Sequence, residues 1–310
     1  DKDNQAWWDW YVSLADNDSK EHEIININPL PDIQIPSDDE VISELAEPYH
    51  LTNDQVNFFK KNGFIKLKKV FSPGAVLKLR AELINLLKKE FKVDPDKEAY
   101  DRFLSLEMTW PDNALLRAYV LSPRLGQISA NLLEVSAVRL YHDNVLAKQS
   151  GCGRTPWHFD DHHFPLDTND VVTAWAPAQP TPIEMGPLSF AYPLDVHELI
   201  KDVTFEKTGT GYDREVSNIF SKNNVNVNAT PFELGEVSFH HNLNFHTASS
   251  NRTNCSRIAL ANTYYRDGAR VINSPTMVSG DWQKFMPNVK PGDVAASPLN
   301  PICWPVKSEI

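Results

Sequence analysis

Residues 138–146 read VRLYHDNVL, a run of β-branched, aromatic and aliphatic side chains that is typical of a β-strand. A turn-rich stretch with two glycines, residues 150–154, follows it. Four later segments have the same strand composition, with Gly, Pro and Asn between them: residues 171–176, 186–190, 235–239 and 257–265. The chain after Val135 is therefore predicted to consist mainly of short β-strands.

The chain before this point carries helical signals. Thr52 offers an N-cap and Gly63 a C-terminal stop for a short helix, and residues 64–70 then read as a strand. Ser72 followed by Pro73 begins a longer helix. The apolar stripe of that helix is formed by Val76, Leu79, Leu83, Leu86 and Leu87. A further helix is expected over about 123–133.

Helices followed by many short strands favour one fold class. We expect a mainly β protein with flanking helices, in which N-terminal helices buttress a double-stranded β-helix (jelly-roll, cupin-like) core. Residues 49–310 are interpreted as a single domain of this kind.

Residues 1–48 differ from the rest of the chain. They are acidic and contain Pro29, Pro31 and Pro36, yet they also carry the aromatic cluster Trp7, Trp8, Trp10 and Tyr11. A disordered tail rarely holds that many aromatic residues. We interpret the segment as an extension that packs on the domain or closes over it like a lid. A disordered arm and a contact between the two copies of a homodimer are the alternatives.

Composition excludes some functions. A formal charge of −11 argues against a nucleic-acid-binding surface, and the absence of an apolar run of membrane-spanning length argues against a membrane protein. Three cysteines without metal-type spacing favour a reduced compartment. We expect a soluble, cytoplasmic protein that acts on a small molecule. Organelle targeting stays open, because the sequence begins with Asp1 rather than Met.

The segment Trp157-His158-Phe159-Asp160 contains a His-x-Asp pair. In a strand, residues two apart face the same side, so we expect His158 and Asp160 to point into the barrel together. One imidazole and one carboxylate supply two of the three ligands of the facial triad that binds iron(II), and a second histidine would complete it. Alone the pair is a weak signal, and a surface or hydrogen-bonded pair is the alternative.

The second histidine has three candidates, His240, His241 and His246. Arg257 lies in an apolar strand, where an unpaired guanidinium would be costly, so it indicates a buried carboxylate partner. The distal carboxylate of 2-oxoglutarate is such a partner. Arg257 follows His246 by 257 − 246 = 11 positions.

Several motifs occur in order along the chain. They are Leu51-Thr52-x-x-Gln55-Val56-x-Phe58-Phe59-x-x-x-Gly63-Phe64, Trp157-His158-x-Asp160, Val172-Thr173-Ala174-Trp175, Glu184-Met185-Gly186-Pro187-Leu188, and Gly235-Glu236-x-x-Phe239-His240 leading to His246 and Arg257. Together they resemble the phytanoyl-CoA dioxygenase family of iron(II)- and 2-oxoglutarate-dependent oxygenases. The resemblance runs from about Leu51 to Pro305.

The resemblance implies a set of site residues. His158, Asp160 and His246 match the iron ligands and catalytic centre of the family, and Arg257 matches its anchor for the distal carboxylate of 2-oxoglutarate. Asn144, Trp175 and Thr173 are further candidates for the wall of the co-substrate site. The implied cofactors are Fe(II), 2-oxoglutarate and O2. The implied reaction is oxidation, most simply hydroxylation, of a C–H bond in a small molecule, with release of succinate and carbon dioxide.

Two positions depart from the family pattern. Phe159 stands where a polar residue is common, and Ala248 stands where the family often has Ser, with Ser249 one position later. The intact carboxylate of Asp160 favours a hydroxylase over a halogenase, which would need a small residue there. A jelly-roll metal enzyme that does not use 2-oxoglutarate would not need Arg257. A non-catalytic binding protein would not need the complete triad.

Overall fold

The computed structural model describes residues 5–15, 23–28, 30–97, 101–204, 210–273 and 281–305. The helices in these ranges are α1 (Gln5–Ser13), α2 (Asp38–Ala46), α3 (Asn53–Asn62), α4 (Pro73–Phe91), α5 (Ala114–Val120), α6 (Pro123–Leu133) and α7 (Gly211–Lys222). The strands are β1 (Phe64–Leu67), β2 (Phe103–Glu107), β3 (Val138–Lys148), β4 (Thr155–His158), β5 (Val171–Pro177), β6 (Leu188–Tyr192), β7 (Asn226–Asn228), β8 (Val237–His241), β9 (His246–Ala248), β10 (Arg257–Arg266) and β11 (Ile302–Trp304).

The predicted helix boundaries are confirmed by their caps. The Thr52 hydroxyl accepts a hydrogen bond from the Gln55 amide at the start of α3, and Gly63 ends that helix with a left-handed φ of 74°. The Ser72 hydroxyl accepts from the Ala75 amide at the start of α4. The strand predicted over 64–70 is shorter, because the chain turns after β1 and Lys69 adopts a φ of 57°.

The strands form two antiparallel sheets. The major sheet has the order β1-β8-β5-β10-β3, and both β2 and β11 pair with the far edge of β3. The minor sheet has the order β4-β9-β6-β7. Helices α2 to α6 contribute to the large hydrophobic core that covers one face of the major sheet. This architecture confirms the expected jelly-roll core with flanking helices.

Side chains alternate along the central strands of the major sheet. In β5, Val172 and Ala174 belong to the core shared with the helices, whereas Thr173 and Trp175 line a cavity on the opposite face. Sheet pairing therefore decides which residues can meet a ligand.

A β-bulge interrupts this alternation in β3. Thr263 pairs with His142 but Tyr264 pairs with Leu140, so Tyr141 is an extra residue on β3. As a result, Tyr141 and His142 both line the cavity, although they are consecutive in sequence.

Helix α1 lies against β2. The Trp8 ring stacks on Phe103 with 4.8 Å between centroids, and Tyr11 is buried. The side-chain amide of Gln5 donates to the Phe103 carbonyl and its oxygen accepts from the Ser105 amide. The remainder of the 1–48 segment is described over 23–28 and 30–48, and residues 1–4, 16–22 and Pro29 lie outside the described ranges.

Across the ranges described above, none of the helices combines the length and apolar character that crossing a bilayer requires.

Candidate metal centre

Three side chains converge at one end of the minor sheet. His158 ends β4, His246 begins β9, and the two residues are direct register partners. Their Nε2 atoms lie 3.9 and 3.8 Å, respectively, from Oδ1 of Asp160. Each of the three residues offers one ligand atom, and these three atoms all lie within 4.8 Å of one another. Such a group could hold a metal ion.

The reason expected for the His158–Asp160 arrangement is wrong. Strand β4 ends at His158, and Asp160 has a helical backbone (φ −91°, ψ −14°) at the start of a 3-10 turn over Asp161–His163. The Asp160 amide donates to the Asn242 carbonyl at 2.8 Å, and the Asp161 amide donates to the same oxygen at 3.1 Å. Hydrogen bonds to the loop before β9 therefore position the Asp160 carboxylate beside the imidazoles. The alternation of side chains along a strand does not.

The ring orientations suit a metal. His158 Nδ1 lies 2.9 Å from the Pro156 carbonyl, and His246 Nδ1 lies 3.0 Å from the Asn244 carbonyl. A carbonyl oxygen can only accept, so each Nδ1 carries the proton and each Nε2 keeps a free lone pair. Both lone pairs are on the nitrogens nearest Asp160. Backbone carbonyls that fix the tautomer of a ligand histidine are a common feature of metal sites.

The charge states also suit a cation. Burial lowers the pKa of His158 and of His246, so both imidazoles are neutral near pH 7. Burial alone would raise the pKa of Asp160, but His246, His240 and His158 around it outweigh that effect and hold the pKa below its ordinary value. These are the deprotonated forms in which imidazole and carboxylate bind metals.

His240 contacts the centre without joining the three ligands. Its Nε2 lies 3.3 Å from Oδ2 of Asp160, the oxygen turned away from the other two imidazoles. Thr173 Oγ1 also approaches Oδ2, at 3.5 Å, and shares a 3.0 Å hydrogen bond with Thr263. His241 lies off the cavity and packs against Phe59. Geometry therefore places His246, the histidine that the sequence singled out, with His158 and Asp160, and it places His240 and His241 outside this group.

Arg257 lines the same cavity and is 1% exposed. One guanidinium nitrogen donates to the Gly186 carbonyl at 2.6 Å, and the group lies over the Trp175 ring at 5.3 Å. Burial lowers its pKa to about 10, which leaves it cationic at neutral pH. Within the described ranges, no carboxylate lies within 4.0 Å of it, and Arg257 Nε and Trp175 Nε1 have no hydrogen-bond partner. The cationic Arg257 and two hydrogen-bond donors without partners, Arg257 Nε and Trp175 Nε1, thus lie on residues that line the same cavity.

The other predicted co-substrate residue, Asn144, also lines the cavity, where its side-chain oxygen accepts from the Ser105 hydroxyl at 3.0 Å. All seven predicted site residues therefore meet around one cavity of about 420 Å³. Sequence reasoning missed several of its walls. They are Glu107 of β2, His142 of β3, and the Lys284–Phe285 segment. Trp8 and Trp10 of α1 also line the cavity, and they belong to the segment that was expected to pack on the domain or close over it.

The fold and the centre together define a class of protein. Two imidazoles and one carboxylate on one face of a jelly roll, beside a buried arginine, form the arrangement of non-haem iron enzymes that use 2-oxoglutarate and O2. The chain is a dioxygenase of this class.

The family follows from comparison with known proteins. The family model of phytanoyl-CoA dioxygenase (PhyH) matches residues 59–259, more than half of the chain, and the chain belongs to this family. Peroxisomal phytanoyl-CoA dioxygenase of Mus musculus is 24% identical over 231 residues, which cover 68% of this chain and 67% of that protein. The resemblance indicated by the motifs is thereby confirmed.

Solved structures agree on the fold. The non-haem α-ketoglutarate-dependent carbocyclase SnoK from nogalamycin biosynthesis has a TM-score of 0.66 at 23% identity, covering 83% of this chain and 99% of that one. The epimerase SnoN, in complex with Fe3+, α-ketoglutarate and nogalamycin RO, has a TM-score of 0.63 at 18% identity, covering 81% and 97%. EctD from S. alaskensis, with 2-oxoglutarate and 5-hydroxyectoine, has a TM-score of 0.61 at 13% identity, covering 92% and 98%.

Proposed function

We propose that the protein oxidises, most simply hydroxylates, a C–H bond of a small molecule, using iron(II) held by His158, Asp160 and His246. We further propose that Arg257 holds the distal carboxylate of 2-oxoglutarate. The observation that carries this proposal is that the guanidinium of Arg257 is buried in the same cavity as the three ligands and has no carboxylate partner among the described residues. When bound, iron(II) with 2-oxoglutarate and O2 supplies oxidation of a C–H bond, with succinate and carbon dioxide as co-products.

The co-substrate end of the cavity is built for a dicarboxylate. Arg257 provides a cation, and Arg257 Nε and Trp175 Nε1 provide buried donors that a carboxylate would satisfy. Leu188, Ala248 and Ala261 line the space beside them and keep it apolar. Ala248 offers no hydroxyl where relatives often carry Ser, so the carboxylate is expected to depend more on the guanidinium and the indole.

The residues around the centre position the ligands. His240 donates to the outer oxygen of Asp160, which leaves the other oxygen directed between His158 and His246. Aromatic side chains surround the open side of the centre, and the Tyr11 ring meets the His158 ring edge-on at 5.6 Å. Such a wall excludes water from the reacting groups.

The deciding experiment is anaerobic addition of iron(II) and then 2-oxoglutarate to the protein. A weak absorption band at roughly 500 nm is expected from the chelate, and it should be absent in Asp160→Ala. Screening small molecules for substrate-stimulated succinate release in air would then identify the substrate. Absence of the band, together with no succinate from any candidate, would refute the proposal. A band-free protein that still binds iron(II) would indicate a jelly-roll metal enzyme that does not use 2-oxoglutarate.

A further inference from the structure

The cavity extends well beyond the centre and Arg257. Its far end is formed where the bulge in β3 turns two consecutive side chains inward, opposite an aromatic segment. Tyr141 packs against Phe164 and Phe285 with 4.9 and 5.4 Å between centroids, and His142 lies 4.8 Å from Phe285. We call Tyr141, His142, Phe164 and Phe285 the far subsite.

The far subsite contains two orphaned polar atoms. Tyr141 is 1% exposed, and its hydroxyl has no hydrogen-bond partner. His142 Nδ1 is likewise buried and unpartnered. Buried polar groups are nearly always hydrogen-bonded, so two neighbouring unpartnered atoms on a cavity wall are groups to which a bound ligand could supply a partner. Burial raises the pKa of Tyr141 and lowers that of His142, so the phenol keeps its proton and the imidazole is neutral.

The charges at this end are already paired. Lys284 Nζ lies 2.8 Å from the buried carboxylate of Glu107 and 3.8 Å from Asp281. Among the described residues of the far end, Lys284 is the only lysine or arginine that lines the cavity, and its charge is already more than balanced by these two acids. A buried anion would therefore lack a counter-ion there. We take the missing partner to be a neutral hydroxyl or keto oxygen, which can exchange hydrogen bonds with both a phenol and a neutral imidazole.

Sheet register fixes the distance of the far subsite from the centre. Thr173, which approaches Asp160, pairs with Thr263 on β10, and Thr263 pairs with His142 on β3. Two strand spacings separate Thr173 from His142, about 10 Å. A ligand of two or three fused rings is long enough to span that distance.

We propose that Tyr141 and His142 bind a hydroxyl or keto oxygen on an uncharged, fused-ring substrate whose apolar faces lie against the aromatic wall. The Tyr141 hydroxyl donates to this oxygen, and His142 Nδ1 accepts from a hydroxyl or donates to a ketone according to its tautomer. The placement of the reacting carbon at the opposite end rests on the proposed function. The recognition of the oxygen does not, because it involves no metal.

The test compares three probes of one shape by equilibrium dialysis with the full chain, without added iron or 2-oxoglutarate. The probes are 2-naphthol, 2-methylnaphthalene and 2-naphthoate. We expect 2-naphthol to bind about 5- to 10-fold more tightly than 2-methylnaphthalene, the gain of one buried hydrogen bond. Equal binding of these two, or tightest binding of 2-naphthoate by an Arg257→Gln variant, which lacks the carboxylate-binding cation at the other end of the cavity, would overturn the proposal.

Two variants locate the preference. Tyr141→Phe removes only the hydroxyl, and His142→Phe keeps an aromatic ring beside Phe285. Each should reduce the preference for 2-naphthol to about 2-fold or less, and an unreduced preference in both would overturn the assignment. If Tyr141→Phe fails to fold, His142→Phe alone decides. Tyr265→Phe is the matched control, because the Tyr265 hydroxyl donates to the Ala295 carbonyl at 2.5 Å and lies off the cavity.

The outcomes separate the two proposals. Loss of the oxygen preference with a normal iron–2-oxoglutarate band would refute the far subsite alone. A clear preference in a protein that forms no band would support the subsite and refute the proposed oxygenase chemistry.

Discussion

His240, His241 and His246 differ in what their imidazoles contact, and this difference predicts a graded series. His246→Ala removes a ligand and should weaken metal binding by more than the roughly 10- to 100-fold that is typical of losing an outer partner. His240→Ala removes only the contact to the outer oxygen of Asp160 and should fall within that range. His241→Ala, off the cavity, is the matched control. Anaerobic calorimetric titration with iron(II) measures all three, and equal losses for His240 and His241 would contradict the series.

Arg257 is the residue on which use of 2-oxoglutarate depends. Arg257→Gln keeps a donor but removes the charge, and should weaken 2-oxoglutarate binding on the order of 100-fold, because truncating one member of a buried charge pair costs about 2–5 kcal/mol. Iron(II) affinity should be unchanged. Arg139→Gln, which removes an arginine paired with Asp267 outside the cavity, is the control. Unchanged 2-oxoglutarate affinity would remove the assigned role.

At the residue scale, the sequence indicates which residues form the site better than it indicates how they are positioned. Arg257 could be singled out because a guanidinium in an apolar strand needs a partner. Asp160 was placed correctly for a wrong reason, because the loop hydrogen bonds to Asn242 that position it have no sequence signal. His142 could not be predicted as a cavity residue, since its direction depends on one extra residue in β3.

The turn before β6 links the minor sheet to Arg257. Gly186 has a φ of 72°, its carbonyl accepts from Arg257, and a Cβ there would collide with the Ser249 carbonyl. Gly186→Ala should therefore destabilise the protein by about 1–3 kcal/mol more than left-handed strain alone. Gly268→Ala is the matched control, with a φ of 85° and open space around the added carbon. Urea unfolding measures both, and equal free energies of unfolding would contradict the collision.

Helix α1 is proposed to act as a wall of the substrate cavity. Trp8→Ala removes one aromatic face and should weaken binding of 2-methylnaphthalene roughly tenfold, since an aromatic pair contributes about 0.5–1.5 kcal/mol beyond burial. The iron–2-oxoglutarate band should persist, because the triad and Arg257 lie on other elements. Phe58→Ala, an exposed aromatic on α3, is the control. Unchanged probe affinity in Trp8→Ala would exclude α1 from the binding surface.

Elements with strong local signals were predicted, whereas of the two short strands that carry the ligand histidines β4 was expected to reach Asp160 and β9 was not predicted. Val171–Pro177 and Arg257–Arg266 are rich in β-branched and aromatic residues, so their sequences indicate strands. Strands β4 and β9 contain four and three residues and owe their conformation to pairing with each other. These two short strands carry both ligand histidines. The supporting framework was therefore easier to predict than the strands of the site.

For the whole molecule, the ligands should couple the two sheets. The two histidine ligands belong to the minor sheet and Arg257 to the major sheet, so a bound metal with 2-oxoglutarate would connect both. Binding to the native state alone stabilises it, by about 2.7 kcal/mol at 100 times the Kd. Manganese(II) and 2-oxoglutarate together should raise Tm above manganese(II) alone in calorimetry. In Arg257→Gln the second increment should disappear, and its persistence would show that 2-oxoglutarate binds elsewhere.

The whole-molecule arrangement follows from the order of helices and strands, but the meeting of its parts does not. His158 and His246 are register partners although 88 positions separate them (246 − 158 = 88). Only sheet pairing brings them together, and no local pattern specifies it. The fold class could thus be predicted from element order, whereas strand order and the shape of the cavity required the structure.

The side chain of Gln5 affects whether other protein chains can pair with the edge of the major sheet. Strand β2 pairs with β3 on one side, and on the other its Phe103 carbonyl and Ser105 amide are taken by the Gln5 carboxamide. That carboxamide imitates the peptide group of a neighbouring strand. An uncovered edge is a template on which other chains add strands and aggregate. Gln5 thus occupies the backbone groups of Phe103 and Ser105 that an added strand would need at this edge, and we expect it to disfavour such addition.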